Sequence, residues 1–241
     1  MSENYDLTVF ENGLSWLGVS LEDSQIEKFI RYYELLTEWN AVMNLTAIVE
    51  WKEVCTKHFI DSLALCKAVD CTRNLSVLDV GTGAGFPGIP LKIAFPKLQM
   101  TLLDSLQKRV KFLNEVIDAL GFEGIEAIHG RAEDFAKPAL LRERFDICVS
   151  RAVANLSVLS EYCMPYVKRD GFFVAYKSEK AAEEINSARH AIDILGGEVY
   201  KEVAFTLPDS DIYRKLSVVR KVSGTPKKYP RKSGLPSKEP L

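Results

Sequence analysis

Val77-Leu-Asp-Val-Gly-Thr-Gly-Ala-Gly-Phe-Pro-Gly88 runs from an apolar strand pattern into a glycine-rich turn and the start of a helix. Gly81, Gly83 and Gly85 allow the backbone positive φ angles and a close approach to a ligand. Pro87 suits the first turn of the helix that follows. The N-terminus of that helix offers free N–H groups and the positive end of the helix dipole. This stretch therefore predicts a ligand-binding turn between a strand and a helix.

The alternation of strand and helix continues through residues 75–222. Short apolar runs recur, and amphipathic segments follow them. The runs lie at residues 76–80, 99–103, 125–128, 145–149 and 171–176. Such repetition predicts an α/β fold with a parallel sheet covered by helices on both faces. Two final strands, at 198–205 and 215–222, have no helix between them, which predicts a closing antiparallel hairpin.

Two further segments flank this region. Residues 1–74 carry apolar side chains at helical spacing and predict an N-terminal helical extension. Residues 223–241 hold four of the ten prolines, and we expect an extended basic tail without helix or sheet. The chain is thus divided into an extension (1–74), a central domain (75–222) and a Pro-rich tail (223–241).

Charge is distributed unevenly along the 241 residues. The net charge of −2 conceals +5 in residues 221–241 and −7 in the rest. An acidic body excludes a protein that coats nucleic acid indiscriminately, but it allows RNA contact through a mobile basic tail.

Several classes of protein are excluded by composition. No apolar run approaches the roughly 20 residues that span a bilayer, and the acidic N-terminus lacks the features of a signal peptide. The five cysteines contain no C-x-x-C pair, so they predict neither a disulfide framework nor a zinc site. We expect a cytoplasmic protein with no membrane partner and no metal.

The glycine-rich turn allows two ligand classes. Gly83-Ala-Gly-Phe-Pro-Gly88 matches the dinucleotide pattern G-x-G-x-x-G, but the strand meets its first glycine at Gly81, which shifts the frame to G-x-G-x-G. Asp79 precedes the turn, where a carboxylate is unfavourable beside a pyrophosphate but suits the cationic groups of S-adenosylmethionine (SAM). Asp104 ends the next strand, 19 residues after Gly85, where an acid can reach ribose hydroxyls. SAM is favoured over NAD, and a tight turn without a ligand is the remaining alternative.

Together, these residues resemble a known family. Asp79–Gly88 is similar to motif I of class I SAM-dependent methyltransferases. Further motifs resemble the RsmG (GidB) family, which methylates N7 of a guanine in 16S ribosomal RNA. These motifs are Trp39-Asn40 with Asn44-Leu-Thr46, His58-Phe59 with Asp61-Ser-Leu63, Ser150-Arg-Ala-Val153, Leu195-Gly-Gly197 and Thr225-Pro-Lys-Lys-Tyr-Pro-Arg231.

The resemblance implies a fold, a cofactor and a partner. The fold is a Rossmann-like, seven-stranded, mostly parallel sheet whose last strand is antiparallel. The cofactor is SAM, and the partner is 16S rRNA or the small ribosomal subunit, with the 530-loop region as the target. The implied SAM contacts are Gly81, Gly83, Gly85, Phe86, Asp104, Ala132, Glu133 and Arg151.

The choice of acceptor atom affects which side chains are needed. Guanine N7 has a free lone pair and no proton to remove, so its methylation requires orientation rather than a general base. The segment after the fourth strand, Ser150-Arg-Ala-Val153, lacks the Asn/Asp-Pro-Pro-Tyr/Phe motif that often serves exocyclic amines. Cys148 and Cys163 lack the Pro-Cys context of a cytosine C5 enzyme. The absence of a recognisable base is consistent with N7.

Arg151 is the candidate catalytic residue, because it follows the fourth strand at the edge of the sheet where ligands bind. A surface ion pair is its alternative role. Candidate RNA contacts are Asn40, Asn44, His58, Lys227, Lys228 and Arg231. For the first three, helix capping and buried hydrogen bonding are equally good explanations. Deleting 225–241 is expected to reduce RNA methylation and to leave SAM affinity intact. A SAM-binding or RNA-binding module without turnover and an NAD-linked oxidoreductase are the competing functions.

Overall fold

A seven-stranded sheet lies at the centre of the computed structural model, which describes residues 5–151, 154–178 and 184–241. Its order is β3-β2-β1-β4-β5-β7-β6, and β7 runs antiparallel to both of its neighbours. The other pairings are parallel. The strands are β1 (Ser76–Val80), β2 (Gln99–Asp104), β3 (Ile125–His129), β4 (Phe145–Ser150), β5 (Val167–Lys177), β6 (Gly197–Thr206) and β7 (Tyr213–Lys221). The predicted fold, with its closing hairpin, is confirmed.

Helices cover both faces of this sheet. The longer ones are α1 (Thr8–Leu17), α2 (Asp23–Met43), α5 (Gly88–Ala94), α6 (Gln107–Ala119), α8 (Leu156–Cys163) and α9 (Glu184–Ile194). Shorter ones are α3 (Trp51–Val54), α4 (Asp61–Leu63), α7 (Ala132–Phe135) and α10 (Leu235–Lys238). The chain between α3 and α4 stays helical but is irregular, with a π-helical turn at Cys55–Ile60.

Alternating side chains of the central strands serve two separate apolar cores. Val77 of β1 lies in one core, and its neighbour Leu78 lies in the other. Leu102 and Leu103 of β2 divide in the same way. Strands covered on both faces are apolar at nearly every position, which explains why the sequence shows continuous apolar runs there.

The N-terminal extension packs on one face of the sheet. Phe10, Phe29 and Phe59 form an aromatic cluster with ring centroids 4.9–6.0 Å apart. Gln25 Nε2 at the start of α2 donates to the carbonyl oxygens of Ile93 (2.6 Å) and Ala94 (3.2 Å). These bonds satisfy the open C-terminal end of α5 and fix α2 beside the glycine-rich turn.

The expectation of an extended tail without helix is wrong. Residues 235–238 form α10, and the segment before it folds against the body. Tyr229 is buried in one of the two apolar cores, and Arg231 pairs with the buried carboxylate of Glu161. Burial of an aromatic ring and of a complete ion pair fixes this segment, so it is not a free tail.

Candidate active site

The carboxyl ends of β1, β2, β4 and β5 meet at one edge of the sheet, where β7 begins. Ligands of open α/β sheets bind at this edge. Two cavities lie there, next to the end of β4. Ser150 and Ala154 line the first, of about 180 Å³, and Arg151 lines the second, of about 370 Å³. Ala152 and Val153, between them, lie outside the described residues.

The three glycines of the turn have different local roles. All three have positive φ, at 73° for Gly81, 65° for Gly83 and 102° for Gly85. A Cβ at Gly81 or Gly83 would meet open space, whereas a Cβ at Gly85 would lie 2.9 Å from the Tyr32 hydroxyl. Gly81 and Gly83 therefore leave backbone open to a ligand, and Gly85 allows close packing behind the turn.

Tyr32 supports the turn from the N-terminal extension. Its side chain is fully buried, and its hydroxyl donates to the carbonyl oxygen of Ala84 at 2.5 Å. Burial raises the pKa of this phenol well above its usual value, so the hydroxyl stays a donor. A residue of α2 thus fixes the backbone of the ligand-binding turn. Sequence reasoning missed this role, since Tyr32 lies on an ordinary apolar helical stripe.

Asp79 lies under the turn with its carboxylate fully buried. Oδ2 accepts from the Thr82 hydroxyl (2.7 Å) and from the Gly88 N–H (2.9 Å). Oδ1 has no hydrogen-bond partner in the described parts of the chain. Burial raises the pKa of this carboxyl to about 6. The carboxylate therefore lacks an opposite charge close enough to offset its desolvation.

Asp104 joins the end of β2 to the glycine-rich turn. Oδ2 accepts from the Gly83 N–H at 2.9 Å and from the Arg109 guanidinium at 3.3 Å. Oδ1 accepts from the Leu106 N–H at 2.9 Å. Each carboxylate oxygen has two lone pairs, so Oδ1 keeps capacity for a ligand hydroxyl, as the ribose role of Asp104 requires.

Ala132 and Glu133 begin α7 and line the smaller cavity together with Gly81 and Tyr162. Glu133 is buried, and its Oε1 accepts from the Gly234 N–H at 2.8 Å. Its Oε2 makes no hydrogen bond within the described ranges. Both residues line this cavity, and their contact with the cofactor stays a prediction.

The smaller cavity fits SAM in three respects. Gly81 and Gly83 leave open space over the turn. Asp104 offers a carboxylate where ribose hydroxyls are expected. Asp79 holds an unpartnered buried carboxylate oxygen beneath the turn, which favours a cationic group over a phosphate.

Arg151 lines the larger cavity and is held by three acceptors. NH1 donates to Asp61 Oδ2 (3.0 Å) and to the Lys57 carbonyl oxygen (3.1 Å), and NH2 donates to His58 Nδ1 (3.2 Å). A guanidinium has five N–H donors, so two remain for a substrate. Arg151 does form an ion pair, as in its alternative role, but its partner Asp61 is buried rather than at the surface.

His58 is a neutral hydrogen-bonding residue here. Burial and the nearby Arg151 charge lower its pKa to about 3. Because Nδ1 accepts from Arg151, the proton lies on Nε2, which donates to the Thr46 hydroxyl at 2.9 Å. The His58 ring stacks on Phe86 with centroids 4.3 Å apart. Phe86 also lies 5.0 Å from the Arg151 guanidinium, so its ring connects the glycine-rich turn to the larger cavity.

Arg214 is a member of this site that sequence reasoning missed. Its Nε donates to Asp61 Oδ1 at 3.0 Å, so one buried carboxylate holds two guanidinium groups. Arg214 lies at the start of β7, and an antiparallel strand begins at the edge where parallel strands end. Its position just after the predicted hairpin loop could therefore have identified Arg214 as a residue of the site.

The remaining predicted RNA contacts lie apart from one another. Asn40 Oδ1 accepts from the Thr46 N–H at 2.8 Å, and Asn44 ends α2 with φ of 50°. The Asn40–Thr46 hydrogen bond and the position of Asn44 at the end of α2 support the capping explanation. Asn44 is exposed and stays a candidate RNA contact. In the tail, Lys227 and Lys228 are exposed, whereas Arg231 is held by Glu161.

No described helix is long and apolar enough to cross a membrane. No group of three or more His, Cys, Asp or Glu side chains is placed to hold a metal ion in ranges 5–151, 154–178 and 184–241.

Comparison with known proteins gives consistent matches along the whole chain. A family model described as rRNA small subunit methyltransferase G matches residues 25–213. Ribosomal RNA small subunit methyltransferase G of Lachnoclostridium phytofermentans is 53% identical over 236 residues, which is 98% of each chain. The protein of the same name from Bacillus subtilis is 48% identical over 232 residues, covering 96% of this chain and 97% of the relative.

Solved structures share the fold at low sequence identity. TYW2 of M. jannaschii, crystallised with AdoMet, aligns with a TM-score of 0.54 and 14% identity over 67% of this chain and 77% of that one. TrmN of Thermus thermophilus aligns with a TM-score of 0.53 and 17% identity over 68% of this chain and 48% of that one. These likenesses extend to the fold alone.

Proposed function

The chain belongs to the rRNA small subunit methyltransferase G family, and we infer from this membership that it is a SAM-dependent methyltransferase of 16S ribosomal RNA. The acceptor is N7 of a guanine, as in the RsmG family. We propose the 530-loop region as the target, 16S rRNA or the small ribosomal subunit as the substrate, and the cytoplasm as the place of action. Cofactor binding is assigned to residues 75–222, contact with the target base to Arg151 of the same domain, and further RNA contact to the flanking segments 1–74 and 223–241.

One observation carries the proposal: a SAM-compatible cavity and an arginine-lined cavity adjoin at the same edge of the sheet. Such an arrangement allows a cofactor and an acceptor base to meet near Ser150, which lines the first cavity, and Arg151, which lines the second. The first cavity is lined by Gly81 of the glycine-rich turn and by Leu103 and Ser105, the two neighbours of Asp104. The second is lined by Arg151 and Arg214. A protein that only binds SAM has no need of the second cavity.

SAM supplies a methyl group already activated by its sulfonium, so the chain has mainly to position the reactants. We assign cofactor binding to the open space over Gly81 and Gly83, to the Asp104 carboxylate for the ribose, and to Glu133, which lines the cavity. Ala132 and Phe86 shape the cavity and its boundary.

Arg151 is assigned to the guanine. Its two remaining N–H donors can bind O6, which leaves the N7 lone pair free to attack. Asp61, the Lys57 carbonyl oxygen and His58 hold the guanidinium in place. With a pKa of about 3, His58 is not a proton donor at neutral pH, which agrees with a reaction that transfers no proton to the enzyme.

The test first compares the binding of SAM and NAD and then measures methyl transfer to RNA. Isothermal titration should show binding of SAM and none of NAD, and tritiated SAM should label 16S rRNA. Binding of NAD instead of SAM would indicate an oxidoreductase. Binding of SAM without labelling of naked rRNA or of the small subunit would indicate a module without turnover.

A further inference from the structure

The tail crosses the outside of the cofactor cavity and is fixed there by two sets of contacts. At its start, Arg142 donates to the carbonyl oxygens of Thr225 (2.6 Å) and Tyr229 (2.8 Å). The Thr225 N–H donates to Glu143 Oε1 at 2.8 Å. These bonds satisfy backbone groups of the tail that water would hydrate in an unattached segment.

The second set of contacts involves an ion pair buried against α8. Glu161 is fully buried, and its carboxylate accepts from Arg231 Nε (2.9 Å), from NH2 (2.6 Å) and from the Arg231 backbone N–H (2.7 Å). Arg231 NH2 also donates to the Glu239 carbonyl oxygen at 2.7 Å, which closes the tail into a loop around α10. A buried carboxylate left without this partner would be strongly unfavourable.

The loop closed by Arg231 reaches two residues that line the cofactor cavity. The Gly234 N–H donates to Glu133 Oε1 at 2.8 Å, and the hydroxyls of Ser237 and Tyr162 lie 2.7 Å apart. Both Glu133 and Tyr162 line the cavity. The tail, together with the Arg131 guanidinium at 3.5 Å, therefore holds Glu133 Oε1 and leaves Oε2 for a ligand.

We propose that residues 231–239 are part of the cofactor site: Arg231 is a positioning residue that, through Gly234, orients Glu133 toward SAM. This deepens the proposed function and rests on it. It reassigns Arg231 from RNA contact to cofactor binding. It also replaces the expectation that a protein without its tail keeps its SAM affinity.

The test measures SAM affinity by isothermal titration in full-length protein and two variants. Arg231→Ala breaks the anchor, and a stop codon after Lys232 keeps the Arg231–Glu161 pair but removes Gly234 and α10. Arg220→Ala is the matched control, because Arg220 forms an exposed ion pair with Asp170 near the opposite edge of the sheet. Thermal melts identify folded variants, and the truncation keeps the test decisive if Arg231→Ala does not fold.

The truncated chain, and Arg231→Ala if folded, should bind SAM at least about tenfold more weakly, the effect of losing a hydrogen bond to a charged group. The KM for RNA should change much less than the KM for SAM, and Arg220→Ala should match the wild type. Unchanged SAM affinity in the folded truncation, with a raised KM for RNA, would overturn the proposal. Failure of the wild type itself to bind SAM would instead refute the proposed function.

Discussion

Replacing Asp79 by asparagine should stabilise the ligand-free protein at neutral pH. Its carboxylate is fully buried, Oδ1 lacks a hydrogen-bond partner among the described residues, and burial raises its pKa from 3.8 to about 6. Because the folded pKa exceeds the unfolded one, the ionised carboxylate lowers the free energy of unfolding as the pH rises from about 4 to about 6. Asparagine has no such titration.

The expected size follows from the pKa shift. A rise in this pKa from 3.8 to about 6 corresponds to roughly 3 kcal/mol of unfolding free energy by pH 7, or about 6–12 °C in melting temperature for a chain of this size. Melting of the Asp79→Asn variant and the wild type should be compared from pH 4 to 8. The difference should grow in favour of the variant up to about pH 6 and then remain constant.

Asp146 provides a control of opposite sign. Its hydrogen bonds with Ser76 and Lys168 lower its pKa despite partial burial, so its contribution to stability is lost as the pH falls through that lowered pKa. Asp146→Asn should therefore melt at a lower temperature than the wild type at neutral pH, and this difference should disappear as the pH falls. Parallel melting profiles for Asp79→Asn and the wild type would show that burial does not raise the pKa of Asp79.

The same change should weaken cofactor binding. If Asp79 favours a cationic ligand group above the turn, Asp79→Asn should bind SAM about tenfold or more weakly at pH 7.5. A variant that is both more stable and equally able to bind SAM would show that the unpartnered oxygen has no part in cofactor binding.

Three further changes test separate parts of the site. Arg151→Ala should slow single-turnover methylation by about 10²-fold because the base loses its orientation, and an unchanged rate would exclude the assigned role. Tyr32→Phe should leave the Ala84 carbonyl oxygen unpaired and lower unfolding free energy by about 1–3 kcal/mol in urea titrations, with weaker SAM binding; unchanged stability would contradict it. The double variant Lys227→Ala/Lys228→Ala should raise the KM for RNA and reduce its salt slope by about 1–2, and an unaltered slope would argue against phosphate contact.

The sheet was predictable because its signals are local. The apolar runs and the glycine-rich turn at 77–88 identify parallel strands and their order of connection, and the missing helix between the last two strands identifies the hairpin. Asp104 and Arg151 follow from the rule that chemistry gathers at the carboxyl edge. Identifying these residues from the sequence required no knowledge of distant contacts.

The tail and the N-terminal contacts depended on distant parts of the chain. Charge and proline content suggested a free basic tail, but the partner of Arg231 is Glu161, 70 residues away in sequence. Tyr32 is similarly 52 residues from Ala84. In each case the residue type suggested a common local role, and burial against a remote polar group determined the observed one.

The most direct test of the central proposal is nucleoside analysis of 16S rRNA after incubation with this protein and SAM. The substrates should be naked rRNA and small subunits that lack the modification. One equivalent of 7-methylguanosine is expected with at least one of these substrates, formed about 10²-fold more slowly by Arg151→Ala. Methylation at another atom, or no methylated nucleoside with either substrate, would contradict the proposed function.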